Sequence, residues 1–144
     1  MLLLVAFLLA VPLLDHGVKA SLRQSLGTRA VSLGMLGCVR VVSGRMWMTR
    51  LKGSPSPAFL WLVWFGAAGA LVAASMLLPE GRPFVGLLLG GSLSHAWEST
   101  RYGTICDYIC LRFWPAFNLA DVAITIGGLG LIWSLAMAMR GGLT

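Results

Sequence analysis

Residues 117–139 read FNLADVAITIGGLGLIWSLAMAM, an apolar stretch of 23 residues that contains one charged side chain, Asp121. This length suffices to cross the hydrocarbon core of a bilayer, which takes about 20 residues. A carboxylate at membrane depth costs about 3 kcal/mol or more, so such residues tend to carry function. A second carboxylate, Asp107, lies fourteen residues earlier, just outside the same helix. The two aspartates indicate a chemical site near one face of a membrane.

The composition of the whole chain also indicates a membrane protein. Its 144 residues are 58% hydrophobic and 11% charged, whereas soluble domains carry roughly 25% charged residues. We therefore predict an all-α membrane protein with one membrane domain over residues 1–144 and no nucleic-acid partner. Apolar stretches predict four transmembrane helices, at residues 1–18, 58–78, 84–100 and 117–139.

The connections between these spans differ in kind. The loop of residues 20–57 is long enough to form structure of its own, and residues 40–51 (RVVSGRMWMTRL) alternate like a strand. Spans two and three are joined by the short turn PEGRP, which predicts a tight hairpin. The first stretch lacks a basic start and a small-residue cleavage site, so we expect it to be a retained helix.

Four crossings place most of the acidic residues on one side of the membrane. Asp15, Glu98, Asp107 and Asp121 share that side, and Glu80 lies on the other. Two carboxylates held close together share a proton, and such a pair can activate water for hydrolysis.

Helical spacing defines the faces of three spans. Small residues recur every four positions and predict close helix packing on spans three and two, at Gly86, Gly90 and Ser94, and at Gly66, Ala70 and Ala74. On span four, Asn118, Asp121, Thr125 and Gly128 share a face expected to turn inward. Asn118 could cap this helix, with Asp121 favoured by the helix dipole, or it could orient the two aspartates. Both interpretations stay open.

Three motifs in the second half of the chain resemble lipoprotein signal peptidase (signal peptidase II). They are GGSL at residues 90–93, YGTICDYI at residues 102–109 and WPAFNLADVAITIG at residues 114–127. The resemblance implies four transmembrane helices with a small extracytoplasmic β-cradle between helices 1 and 2. It also implies an aspartic endopeptidase that cleaves the signal peptide of prolipoproteins before the lipid-modified cysteine. Asp107 and Asp121 would be its catalytic pair, with no metal or cofactor.

The same resemblance implies substrate-binding or orienting roles for a larger set of residues: Asn118, Ala120, Gly90, Gly91, His95, Arg101, Asp15, Lys19 and Gly44. The chain departs from the family pattern where the family has Asn and then Asp-Arg, because these positions hold His95, Glu98 and Ser99. Arg101 is the candidate substitute for the missing arginine.

Residue chemistry alone gives three of these positions simpler roles. It favours His95 as a polar group at the membrane interface. It favours Asp15 and Lys19 as an ordinary, partly exposed i,i+4 ion pair.

The resemblance also implies partners and a location. We expect diacylglyceryl-modified prolipoproteins and membrane phospholipids as partners, a monomer, and a multi-pass protein of the bacterial inner membrane. Of the 11 Lys and Arg residues, nine fall on the active face, and the positive-inside rule would make that face cytoplasmic. The motif of span four is the more specific signal, so we expect the site to face the extracytoplasmic side.

Other functions agree with the same residues. A non-catalytic relative would bind lipid or signal peptide without cutting it, and a small proton-relay or transport protein would also use membrane carboxylates. Cys106 and Cys110 with His95 could hold a metal, but the cysteines lack paired zinc spacing. We expect these cysteines to be small apolar residues.

Overall fold

Four long helices dominate the computed structural model, which describes residues 1–27, 29–44 and 56–141. The helices are α1 (Leu2–Leu26), α2 (Pro57–Leu77), α3 (Arg82–Tyr102) and α4 (Leu119–Gly141). Three short strands accompany them: β1 (Val31–Ser32), β2 (Gly37–Gly44) and β3 (Ile105–Leu111). The four predicted helices are confirmed, and α1 extends well beyond residue 18. A 3₁₀ turn at Pro79–Gly81 joins α2 to α3, as the predicted hairpin requires.

By length and composition α1, α2 and α4 can each cross a membrane. Helix α3 has 21 residues and is therefore about 31 Å long, but it is more polar because it carries Arg82, Glu98 and Arg101. It is the central helix of the bundle, and the other three pack against it. Large apolar side chains instead cover the outside of the bundle, which suits a lipid environment.

Glycines bring α1 directly onto α3. A Cβ atom at Gly86 would lie 2.5 Å from the carbonyl oxygen of Leu4, and one at Gly90 would lie 2.7 Å from that of Phe7. The predicted close-packing face of span three is therefore confirmed. The one predicted on span two is wrong, because Gly66 is exposed and a Cβ there would meet no atom within 4 Å.

The inward face of α4 also differs from the prediction. Gly127 makes the close approach to α3, since a Cβ atom there would lie 2.6 Å from the nitrogen of Leu88. Thr125 is exposed, and a Cβ at Gly128 would meet no atom within 4 Å. The polar face that begins at Asn118 thus turns away from the packed interior after its first turn.

The three strands form an antiparallel sheet in the order β1-β2-β3. Val42 pairs with Asp107 and Gly44 pairs with Ile105, after an irregularity between Val39 and Val42. A sheet was predicted between helices 1 and 2, but its third strand comes from the connection between α3 and α4. That strand was missed because ICDYICL is a short, nearly continuous apolar run without clear alternation. The rest of the predicted strand pattern, at residues 45–51, lies outside the described residues.

Candidate active site

Strand β3 presents Asp107 to the site. Helix α3 ends at Tyr102 and is capped by Gly103, whose φ of 69° is left-handed and whose N–H donates to the carbonyl of Ser99. A glycine adopts this conformation without the steric cost of a Cβ atom, so the chain can reverse there into β3. Within β3, Cys106 and Tyr108 are buried, and Asp107 lies on the opposite, half-buried face.

A second reversal sets the start of α4 beside β3. Phe117 and Ile109 exchange two backbone hydrogen bonds, of 3.0 and 2.9 Å. The N–H of Leu119, the first residue of α4, donates to the Tyr108 hydroxyl at 3.0 Å. These contacts bring the first turn of α4, and with it Asp121, next to Asp107.

Asn118 joins the two aspartates. Its Oδ1 accepts from the N–H of Asp121 at 3.1 Å, and Oδ2 of Asp121 accepts from the N–H of Asn118 at 2.9 Å. This reciprocal pair is a capping box, with aspartate in place of the usual Glu or Gln. The Nδ2 of the same amide donates to Oδ1 of Asp107 at 2.8 Å and to the carbonyl of Cys106 at 3.3 Å. The capping and the orienting interpretations of Asn118 thus describe a single geometry.

The environment of Asp107 favours its protonated form. Burial raises the pKa of Asp107 to about 6, and the negative charge of Asp121 acts in the same direction. The hydrogen bond from Asn118 and the positive charges of His95 and Lys19 oppose this increase. A carboxyl group whose pKa is raised by burial and by a neighbouring carboxylate can serve as an acid in acid–base hydrolysis.

His95 reaches the same cluster from α3. Its Nε2 lies 3.2 Å from Oδ1 of Asn118 and 3.6 Å from Oδ1 of Asp121. The side chain is 13% exposed, so His95 belongs to this cluster, and its interpretation as a polar group at the membrane interface stays a prediction. The turn of α3 that carries it faces the first turn of α4.

An apolar groove of about 730 Å³ opens in front of these residues. Aromatic and aliphatic side chains of α2 form one wall, and residues 114–117 also line the groove. The α2 wall comprises Phe59, Leu60, Val63, Trp64, Ala67 and Leu71. Trp64 donates to the Ser92 hydroxyl at 3.0 Å and so ties this wall to α3. The ionisable side chains in the described lining are His95, Asp107 and Asp121.

A buried ion network lies between α1 and α3. Lys19 contacts Oδ2 of Asp15 at 2.7 Å and Oε2 of Glu98 at 2.6 Å. Ser94 donates to the same Asp15 oxygen at 2.6 Å, and Arg23 contacts Oε1 of Glu98 at 3.1 Å. Asp15 and Lys19 were expected to be partly exposed, and this is wrong, since they are 0% and 1% exposed. The close approach of α1 to α3 buries them and adds Glu98 as a third partner.

Most of the remaining predicted residues lie at helix contacts or in the sheet. A Cβ at Gly91 would lie 2.5 Å from the carbonyl of the fully buried Ala120, so these two residues set the contact between α3 and α4. Gly90 contacts α1, and Gly44 pairs with Ile105 in the sheet.

Arg101 is exposed, and the arginine that pairs with Glu98 in the described structure is Arg23. No role was predicted for Arg23, although its position one turn after Lys19 on the same helix was a usable signal. Ser94 was also not predicted as a hydrogen-bond partner of Asp15.

The cysteines are free thiols. Cys106 is buried, and burial raises the pKa of its thiol. Within residues 1–27, 29–44 and 56–141, no group of three or more His, Cys, Asp or Glu side chains could hold a metal ion.

Comparison with known proteins identifies relatives of this chain. The sequence profile described as signal peptidase (SPase) II matches residues 7–137. The chain is 41% identical over 71 residues to the lipoprotein signal peptidase of Moorella thermoacetica, which covers 46% of this chain and 47% of that protein. It is 30% identical over 103 residues to that of Syntrophomonas wolfei, covering 64% of this chain and 69% of the relative. In the strongest of these alignments, the chain spans about half the length of the curated relative.

The fold has solved counterparts as well. One solved bacterial membrane enzyme superposes with a TM-score of 0.77 at 18% identity, over 92% of this chain and 91% of that one. A second gives a TM-score of 0.76 at 17% identity, over 96% and 90%. At such low identity these likenesses concern the fold alone. The sequence profile, however, matches most of the chain, and the chain belongs to the signal peptidase II family.

Proposed function

We propose that this chain is an aspartic endopeptidase that removes the signal peptide of prolipoproteins before their lipid-modified cysteine, with Asp107 and Asp121 as its catalytic pair. The observation that carries the proposal is the hydrogen-bonded link from Asn118 to both aspartates, which line an apolar groove. Its site would open on the extracytoplasmic face of the bacterial inner membrane, as in the family it belongs to.

The chemistry needs one ionised and one protonated carboxyl group. The ionised member takes a proton from a water molecule as its oxygen attacks the scissile carbonyl. The protonated member donates to the carbonyl oxygen, which would otherwise carry the developing negative charge. The apolar walls of the groove strengthen both interactions, because charges attract each other more strongly in surroundings of low polarity than in water.

The groove supports the proposed substrate. A volume of about 730 Å³ lies within the roughly 300–1,000 Å³ of ligand sites, and its walls are mostly apolar side chains of α2 and α3. An extended peptide carrying an acyl group would bury apolar surface there, at about 25 cal/mol per Å². The two carboxylates belong to the lining of this apolar groove, so a peptide bound there would bring its scissile bond close to them.

The test is cleavage by the purified protein in detergent or nanodiscs. A diacylglyceryl-modified preprotein should release its signal peptide, while the unmodified preprotein should not. Asp107→Asn and Asp121→Asn should each lower the rate by at least about 10²-fold, whereas Glu80→Gln, in the exposed turn before α3, should leave it unchanged. Binding of the lipidated preprotein without release, under conditions where another family member cuts it, would establish a non-catalytic relative instead.

A further inference from the structure

The hydrogen bonds around Asn118 determine which nitrogen of His95 carries a hydrogen. The N–H of Asp121 donates to Oδ1 of Asn118, and Nδ2 of Asn118 donates to Asp107 and to the carbonyl of Cys106. Exchanging the amide oxygen and nitrogen would disrupt all three bonds, so the atom that faces His95 is an oxygen. Because Nε2 of His95 lies 3.2 Å from this oxygen, Nε2 must be a donor.

The same N–H distinguishes the two aspartates. It is shared with Oδ1 of Asn118 at 3.2 Å, and Oδ1 of Asp121 lies 3.6 Å from the same Nε2, close enough for electrostatic attraction. The other Asp121 oxygen, Oδ2, accepts from the N–H of Asn118. A proton on Oδ2 would meet that donor, and the nearby N–H of His95 favours a negative charge on Asp121. In Asp107, by contrast, only Oδ1 accepts a hydrogen bond among the described residues, which leaves Oδ2 for a proton.

The charged groups around His95 agree with this asymmetry. Asp121 faces it from α4 and Asp107 from β3, while the α2 wall contributes no ionisable side chain to the groove. Glu98, one turn further along α3, is paired with Lys19 and Arg23 of α1. The carboxylates that His95 can influence are thus the two of the catalytic pair.

We propose that His95 is a positioning residue that keeps Asp121 ionised as the general base and leaves the shared proton on Oδ2 of Asp107. The inference rests on the proposed peptidase function. Asp121 then takes a proton from water, the water oxygen bonds to the scissile carbon, and Asp107 gives its proton to the carbonyl oxygen. When the C–N bond breaks, Asp121 passes its proton to the leaving nitrogen and a hydroxyl proton of the intermediate returns to Asp107. Asp121 is again ionised, Asp107 is again protonated, and one water has been consumed.

Three variants separate a hydrogen-bond donor from mere packing. His95→Leu removes the donor and should lower kcat by about 10- to 100-fold, with KM changed less than about threefold. His95→Gln places an amide N–H at about the reach of Nε2 and should restore kcat to within about fivefold of the original. His16→Gln alters the other histidine, on α1, and should leave kcat unchanged. A folded His95→Leu variant with full kcat, or a folded His95→Gln variant as slow as His95→Leu, would overturn the proposal.

A spectroscopic measurement tests the inference separately from activity. In protein labelled with ¹⁵N-histidine, Nε2 of His95 should be protonated at about neutral pH, and His16→Gln assigns the resonances. Asp121→Asn should move the Nε2 resonance more than Asp107→Asn does. An unprotonated Nε2, or a larger effect of Asp107→Asn, would overturn the role of His95 even in a protein that cleaves. The predicted resonances in a protein that does not cleave would overturn only the peptidase function.

Discussion

Asn118 donates from Nδ2 to Oδ1 of Asp107 at 2.8 Å, while its own Oδ1 caps the first turn of the helix that carries Asp121. One buried amide thereby fixes the relative position of two carboxylates from different elements. Removing the whole side chain of Asn118 would abolish both the helix cap and the contact with Asp107. A shorter side chain that still caps the helix would abolish the contact alone.

Asn118→Ser should separate these two roles. Serine is a good N-cap, so the free energy of unfolding should stay within about 0.5 kcal/mol of the original. Its hydroxyl is too short to reach Asp107, so cleavage should fall by about 10²-fold. Asn118→Ala should lose the same activity and, in addition, about 1 kcal/mol of stability. Thermal unfolding in detergent and cleavage rates measure the two effects, and a fully active Asn118→Ser variant would contradict the orienting role.

Lys19→Met should destabilise the bundle strongly. Lys19 is 1% exposed and lies between the carboxylates of Asp15 and Glu98. Removing one partner from a buried ion pair leaves an uncompensated charge and costs about 3–5 kcal/mol. The measurement is the free energy of unfolding in mixed detergent.

The matched control for Lys19 is Arg23→Met. The Arg23 side chain is 45% exposed, and Glu98 keeps Lys19 as a partner when Arg23 is removed. Its loss should cost about 1 kcal/mol or less. Equal losses for the two variants would show that the network does not depend on the buried ammonium.

The proximity of Asp107 and Asp121 could be predicted from sequence because both aspartates lie in recognisable local contexts at the edge of an apolar helix. The ion network could not. An i,i+4 spacing of Asp15 and Lys19 describes one helix and carries no information about Glu98, which lies 79 residues from Lys19. The burial of these charges follows from the contact of α1 with α3. The glycines of α3 permit this contact, but the positions of the charged residues in the sequence do not predict it.

The contacts of His95 with Asn118 and Asp121 could not be predicted for a related reason. Its helix and approximate depth follow from the sequence, but its direction depends on how α3 rotates against α4. That rotation is set by the contact of Gly91 with the carbonyl of Ala120. The third strand was missed because its pairing partner, β2, lies some 65 residues earlier in the chain, beyond the range of a local pattern.

Gly91→Ala should disturb the site by separating α3 from α4. The added Cβ would lie 2.5 Å from the carbonyl oxygen of Ala120 and 2.8 Å from Cγ1 of Ile124. Overpacking of this kind costs about 1–3 kcal/mol, and the shift should also move His95 away from Asp121 and slow cleavage. Gly128→Ala is the control, because a Cβ there meets no atom within 4 Å. A Gly91→Ala variant with unchanged melting temperature and rate would contradict the proposed helix contact.

The stability of the protein should depend on pH through Asp107. Burial and the charge of Asp121 raise the pKa of Asp107 from 3.8 to about 6, so the folded state binds its proton more tightly than the unfolded chain does. Its contribution to stability is therefore present below about pH 4 and is lost as the pH rises through about 6.

Asp107→Asn removes this dependence. The melting temperature of the variant minus that of the original protein should therefore be more positive at about pH 8 than at about pH 4. Asp121→Asn should weaken the pH dependence, because it removes the second cause of the increase, and Glu80→Gln should not affect it. Melting curves in detergent at the two pH values measure this, and a stability difference between Asp107→Asn and the original that does not change with pH would refute it.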